Sequence, residues 1–357
     1  MTGSKALRID AGVAELTAQL IDVPSESHHE KHLADLIEAT LTSCDHLSID
    51  RVGDTLVART HLGKVERVLI GGHLDTVPAH GNLPHRVDGD LIYGLGAADM
   101  KGGLAVGLRL ACLIPEPHRD VTYVFYSGEE VAAEFNGLEQ VMSVRPDLLQ
   151  CDAAILMEPT NGVVEAGCQG TMRAEIRVSG TRAHSARSWM GVNAIHGAQQ
   201  VLAILSEYVP RRVMVEGLEY REGLNAVGIS GGIAGNVIPD ECVVTVNYRF
   251  APDRSIAQAR EHLHEVFPDG ELVVVDEAAA ARPGLDLPMI RDFVVSTGVP
   301  AQPKFGWTDV ARFAALDIPA MNYGPGDPTV AHHRDEHVSM TQIREVEERM
   351  RSWLTSA

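Results

Sequence analysis

Gly71-Gly-His-Leu-Asp-Thr-Val-Pro78 reads GGHLDTVP and follows the apolar run RVLI at 67–70. The run has the length and composition of a buried strand. A histidine and an aspartate then stand two residues apart, between glycines and a proline. Glycine and proline by themselves describe a turn with two solvated polar residues. The other reading is a strand end that delivers a ligand, His73, and a carboxylate, Asp75, that orients it.

Outward from this stretch, strand-like runs recur at 55–59, 121–126 (VTYVFY) and 153–157 (AAILM). GGLAVGLRLACLI at 102–114 lies between two of them and is helix-like, apolar nearly all round. Residues 11–45 carry helical spacing in Val13, Leu16 and Leu20, then Leu33, Leu36, Ile37 and Leu41. Alternating strands and helices predict an α/β layer with a largely parallel sheet. From about residue 171 the texture changes. TMRAEIRVSG alternates apolar and polar residues, a helical stretch spans 192–208, and NAVGISGGIAG, CVVTVNYRFA, a helix at 255–267 and ELVVVDE follow. Strand–helix–strand–strand–helix–strand predicts an α+β unit with one solvated sheet face. After 285 the α/β texture returns in FVVSTGV, FGWTDVARFAA, PAMNY and a closing helix at 341–354. The plan is one α/β domain, 1–172 and 286–357, interrupted by a smaller domain at 173–285.

The chain has 357 residues and a formal net charge of −19, which argues against nucleic acid and against an anionic membrane surface. The acidity serves solubility, or else some carboxylates cluster around cations. Cys44, Cys112, Cys151, Cys168 and Cys242 are scattered with no C-x-x-C, which suits reduced thiols. The N-terminal MTGSKALRID lacks the apolar core of a signal peptide, and no window approaches a membrane span. A soluble cytoplasmic protein is expected.

Ionisable residues recur where the first strands should end. His73 and Asp75 follow RVLI, Asp99 sits in YGLGAADMKGG, Glu129 and Glu130 follow VTYVFYSG, and Glu158 follows AAILM. Open α/β sheets place their ligand sites at the carboxyl ends of strands. Taken singly, each of these residues reads as a turn, cap or solvated surface group. Taken together, carboxylates gathered at sheet ends repel unless cations lie between them. Histidine with Asp and Glu, without thiolates, suits zinc, with cobalt or manganese as substitutes. A second histidine must come from TVAHHRDEHV, which offers His332, His333 and His337. Glu129 and Glu130 can divide two roles, one binding metal and the other taking a proton from water. In the inserted segment His184, Asn236 and Arg249 stand out. Arg249 can hold a substrate carboxylate bidentately.

GGHLDTVP, YGLGAADMKGG, SGEEV, MEPT, GTRAHSARSWMGVNAI, NVIPD and AHHRDE follow one another along nearly the whole chain. In that order they resemble the aminoacylase/carboxypeptidase family of di-zinc amidohydrolases. The resemblance implies a zinc-exopeptidase-like catalytic domain with an inserted ferredoxin-like lid that mediates homodimerisation. It implies two zinc ions per subunit. His73 and Glu158 would bind one, Glu130 and His332 the other, and Asp99 both. His332 is chosen among the late histidines because it precedes Glu336 by four residues, as in the family. Asp75 would orient His73, Glu129 would be general base and then acid, and the Asp99–Met100 peptide would be cis. His184 would stabilise the oxyanion from the lid, reaching the partner's active site in a dimer. Asn236 and Arg249 would contact substrate carboxylates, and Thr308, Arg312 and Gly326 would line the substrate pocket.

The reaction implied is hydrolysis of an amide by a zinc-activated water. EAGCQGTMR, RAHSARSWMGVNA, YREGLN and KFGWTDVARF resemble the branch that cleaves N-succinyl-LL-2,6-diaminopimelate. Acetylornithine deacetylation and a carboxypeptidase or dipeptidase activity are the alternatives within the family. A metal-free binding relative is the alternative from another class. A nucleotide-binding dehydrogenase fails, because GLGAADMKGG lacks the glycine spacing that a dinucleotide site needs.

Overall fold

The structure is a computed structural model and describes residues 6–268 and 270–356. The chain divides into two compact units. One runs to Ala166 and resumes over Gly284–Gln302 and from Arg312 onward, and the other comprises Gly167–Pro283 and Pro303–Ala311.

The first unit is built on an eight-stranded sheet. Its centre is the parallel set Asp120–Tyr126, Arg67–His73, Ala153–Leu156 and Ala320–Asn322, in that spatial order. Antiparallel strands flank it, Thr55–Arg59 and Ser48–Val52 on one side and Val164–Ala166 on the other, beyond which Ala301–Pro303 is the eighth strand. The central strands are short apolar runs because both of their faces are covered. Val68, Leu69, Ile70 and every residue of Asp120–Tyr126 are buried. Helices Val13–Ile21, Lys31–Thr42, Gly102–Leu113 and Met340–Thr355 supply the covering layers. One core joins them, with Leu16, Leu20, Leu33, Ile37, Leu104, Leu108 and Trp353 packed with Val68 and Ile70. A separate three-stranded sheet consists of Arg86–Asp88, Leu91–Tyr93 and His337–Ser339.

The second unit has a four-stranded antiparallel sheet in the spatial order Gly223–Gly231, Glu241–Phe250, Gly170–Ser179, Glu271–Ala278. In chain order this is the β-α-β-β-α-β arrangement of a ferredoxin-like fold. Alternation in Gly170–Ser179 and Glu241–Phe250 sends Met172, Ala174, Ile176, Val244, Val246 and Tyr248 to one face. Ala194, Ala198, Val201, Ala259 and Leu263 of the flanking helices cover that face. The stretch expected as one helix at 192–208 is two, Ala194–Gly197 and Gln199–Glu207.

Residues 303–311 group with this unit and not with the α/β part to which the sequence reading gave them. Gln169 donates its N–H to the Lys304 carbonyl at 3.2 Å, and Trp307 Nε1–H donates to the Ala279 carbonyl at 3.1 Å. Hydrogen bonds of this kind, made across a long sequence separation, leave no trace in local composition.

Candidate metal centre

Parallel register places the site. Arg67–His73 lies beside Asp120–Tyr126 with His73 opposite Tyr126, and beside Ala153–Leu156 with Gly71 opposite Leu156. The loops that follow these strands therefore leave from one edge of the sheet. They carry His73 with Asp75, Glu129 with Glu130, and Glu158.

Asp99 joins them from the turn Ala97–Lys101 that opens the helix Gly102–Leu113. The Asp99–Met100 peptide is cis. Met100 packs onto the strand, its sulfur accepting from the His73 main-chain N–H at 3.2 Å. A Cβ on Gly72 would lie 2.7 Å from Met100 Cε, so a larger residue there would push the methionine side chain aside. Asp99 Oδ1 consequently lies 3.0 Å from His73 Nε2.

His332 arrives from the loop before the last strand of the small sheet. It holds φ 64°, a left-handed backbone uncommon outside glycine. Its Nε2 is 2.7 Å from Glu130 Oε1 and 3.7 Å from Asp99 Oδ2. Two donor sets result, His73–Asp99–Glu158 and Asp99–Glu130–His332, with the donor atoms of each within 4.8 Å of one another. They share Asp99. His73, Glu129 and Glu130 form a third such set.

The imidazole of His73 is buried and held from both sides. Nδ1 lies 3.0 Å from the Asp75 main-chain carbonyl and 3.6 Å from the Asp75 carboxylate. A proton on Nδ1 donated to that carbonyl leaves the Nε2 lone pair facing Asp99 and Glu158. Burial works against charge on this ring, but Asp75 and Asp99 outweigh it and raise its pKa well above the ordinary value. Burial likewise works against charge on Asp75. His73 and the N–H groups of Glu129 and Glu130 outweigh it and hold the carboxyl well below the ordinary range.

Three polar groups that the sequence reading did not assign brace the centre. Ser27 Oγ donates to Asp75 Oδ2 at 2.8 Å. The buried Glu30 accepts from Gly128 N–H at 3.1 Å and so ties down the loop that presents Glu129 and Glu130. The buried Glu336 accepts from the N–H groups of Gly96, Ala98 and Asp99 at 3.0, 2.9 and 3.0 Å, which clamps the turn of Asp99. For Glu336 the spacing to His332 was the only local signal. Ser27 and Glu30 sit in PSESHHE, which reads as a turn.

The expected substrate residues divide between the units. Arg312 belongs to the first and pairs with Glu139. Gly326 also belongs to the first, at φ 97°, where a Cβ would meet Ala98 Cα at 2.9 Å. His184, Asn236, Arg249 and Thr308 belong to the second. There His184 and Asn236 adjoin: His184 pairs with Val237 in a two-stranded ribbon, and Ser185 N–H donates to the Asn236 carbonyl at 2.9 Å. Arg249 Nε–H donates to Asn247 Oδ1 at 3.1 Å, and burial lowers its pKa. Thr308 is buried and accepts through its carbonyl from Cys168 Sγ at 3.8 Å.

The donors fit a pair of borderline divalent ions. Imidazole and carboxylate are the right chemistry, each set has three protein donors, and one carboxylate is common to both. Among the described residues no helix is long and apolar enough to cross a membrane.

The family model described as Peptidase family M20/M25/M40 matches residues 69–356. A putative succinyl-diaminopimelate desuccinylase of Mycobacterium tuberculosis is 53% identical over 343 residues, 95% of this chain and 97% of the relative. A succinyl-diaminopimelate desuccinylase of Corynebacterium glutamicum is 42% identical over 351 residues, 95% of each chain. A solved structure from Bacillus subtilis, described as a dinuclear metal-binding peptidase, shares the fold with a TM-score of 0.73 and 18% identity over 97% of both chains.

Proposed function

This chain belongs to the peptidase family M20/M25/M40, and we propose that it hydrolyses N-succinyl-LL-2,6-diaminopimelate to succinate and LL-2,6-diaminopimelate. The observation that carries the reading is end-to-end similarity to two relatives of that name, with every ligand position of the centre filled. The family makes the chain a metal-dependent hydrolase.

His73 and Glu158 would hold one ion, Glu130 and His332 the other, and Asp99 both. Two zinc ions in these positions would supply Lewis acidity to the scissile carbonyl and to the attacking water. Glu129, beside Glu130 and outside the pair of sets that share Asp99, takes the proton of that water and returns it to the leaving amine. Asp75 keeps Glu129 and Glu130 in place through their main-chain N–H groups. The substrate carries three carboxylates, for which Arg249, Asn236, Arg312, Thr308 and Gly326 are the proposed contacts. His184 is the proposed oxyanion donor.

A homodimer through the second unit is supported by its edge strand Gly223–Gly231. Val227 and Ile229 there are 61% and 55% exposed, an open edge that a second copy can cover. The five free cysteines suit a reducing, cytoplasmic location.

The test is hydrolysis by metal-loaded protein of N-succinyl-LL-diaminopimelate, beside N-acetylornithine and a panel of dipeptides, with Glu129→Ala as control. A strong preference for the succinyl substrate, lost in the control, is expected. Turnover of a dipeptide in its place would keep the metal chemistry and discard the substrate.

A further inference from the structure

A cavity of about 450 Å3 in the first unit is lined by none of the proposed ligands; Asn82, Arg86, Tyr93, Gly94, Arg334 and Asp335 are among the residues around it. Two exposed arginines, Arg86 and Arg334, line it, and the small three-stranded sheet fixes one of them. Arg86 stands opposite Tyr93 in antiparallel register, and Tyr93 stands opposite His337. The Arg86 guanidinium carbon lies 3.6 Å from the centre of the Tyr93 ring, and the His337 ring centre is 4.9 Å from that of Tyr93. A guanidinium stacked on an aromatic face keeps its in-plane N–H donors for another partner.

Arg334 comes from the other wall. Its Nη2 would lie 3.6 Å from a Cβ on Gly81, so the side chain reaches the loop that follows GGHLDTVP. That loop is fixed as well: His80 N–H donates to Asn82 Oδ1 at 3.0 Å, and Leu95 N–H donates to the Asn82 carbonyl at 3.1 Å.

Acidic residues outnumber basic ones in this chain by 49 to 30, and its arginines characteristically pair with carboxylates, as Arg51, Arg119, Arg145 and Arg211 do. Among the described residues neither Arg86 nor Arg334 has an ion-pair partner, although Asp335 lines the same cavity. Two arginines without a carboxylate partner, one of them stacked in place, line the same space of small-molecule size. We propose that this cavity is an anion site, binding a carboxylate or phosphate group between Arg86 and Arg334.

Its position gives the site a physical coupling to the metal centre. Gly94 N–H donates to the Glu336 carbonyl at 3.0 Å, and the side chain of Glu336 clamps the turn of Asp99. Arg334 is two residues beyond His332. An anion joining Arg86 to Arg334 therefore ties together the segments that present two of the proposed ligands.

The test uses full-length metal-loaded protein whose metal centre is blocked by a hydroxamate. Inorganic phosphate and succinate are titrated separately, with calorimetry and the unfolding temperature as readouts. One equivalent should bind in the millimolar range and raise the unfolding temperature. Arg86→Gln and Arg334→Gln should each weaken binding at least tenfold, with kcat and KM in the absence of added anion unchanged. Tyr93→Leu, which removes the stacking face and leaves both charges, should also weaken it. Preference for phosphate or for succinate identifies the group that the site takes. The proposal is overturned if neither anion binds at tens of millimolar, or if binding survives both arginine substitutions in variants shown by circular dichroism to be folded.

Discussion

The Asp75 carboxylate holds the backbone of Glu130, accepting its N–H through Oδ2 at 3.0 Å. The other oxygen takes the N–H of Glu129, also at 3.0 Å, and stands 3.6 Å from His73 Nδ1. One side chain thus joins the ends of two neighbouring parallel strands and fixes Glu130, the proposed ligand, Glu129, the proposed base, and His73 relative to one another. The closer partner of the His73 ring is the Asp75 main-chain carbonyl, which orients it, while the carboxylate acts on the ring by its charge and on the glutamates by hydrogen bonds.

Asp75→Asn separates these two roles. The main-chain carbonyl remains, so His73 keeps its orientation. The amide has one acceptor oxygen, and its NH2 group faces an N–H that it cannot satisfy. Metal affinity should fall by about tenfold, at the lower end for loss of a ligand-orienting partner, while kcat falls further because Glu129 is displaced. Competition with a chelator and steady-state kinetics on the same preparation check this. An unchanged kcat with lost metal would reverse the assignment.

Glu129→Gln should leave both ions bound and lower kcat by roughly 10²- to 10⁴-fold, the range for loss of a positioned general base. Metal analysis of the purified variant decides between base and ligand. Loss of one equivalent of metal would mean that the set of His73, Glu129 and Glu130 is itself a binding site.

What was legible in the sequence follows the range of each interaction. The central strands are apolar runs because both faces are covered, and the candidate donors stand next to them because parallel strands end at one edge. Both facts are local, so GGHLDTVP, SGEE and MEPT could be read directly. Glu336 and Glu30 could not, because their partners lie 237 and 98 residues away and their own neighbours read as turn and surface. The short strands Val164–Ala166 and Leu91–Tyr93 were missed for the same reason, since three residues carry no periodicity. The placement of 303–311 with the second unit rests on contacts to Gln169 and Ala279, which sequence spacing does not encode.

Glu336 supplies a test of how far the centre depends on its supports. Its carboxylate satisfies three main-chain N–H groups in the turn of Asp99, and no water-exposed alternative exists for so buried a group. Glu336→Ala leaves those donors unpaired and frees Asp99. Metal affinity should drop about 10- to 100-fold, and the added stability that metal gives the wild type should shrink accordingly. Unfolding temperatures measured with chelator and with zinc, for both proteins, give the comparison. Equal metal-induced shifts in the two would show that Asp99 needs no clamp.

Asp120 offers a pH-dependent test away from the centre. It begins the strand that leads to Glu129, and it is 4% exposed. Burial opposes its charge, but the N–H groups of Leu62 and Lys64 at 2.8 and 2.9 Å, Thr60 Oγ1 at 2.7 Å and the nearby Arg67 outweigh burial. The folded carboxyl therefore titrates below its ordinary value of 3.8. A depressed carboxyl contributes stability that is fully present above the unfolded pKa and is lost as pH falls through the folded one. Asp120→Asn should cost about 2 kcal/mol at neutral pH, the scale for losing hydrogen bonds to a charged group. As pH falls from about 4 through the lower folded pKa the wild type progressively loses this contribution, and the two denaturation curves should converge. A difference that stays constant from pH 7 to pH 3 would show that packing, and not the charge, sets the cost.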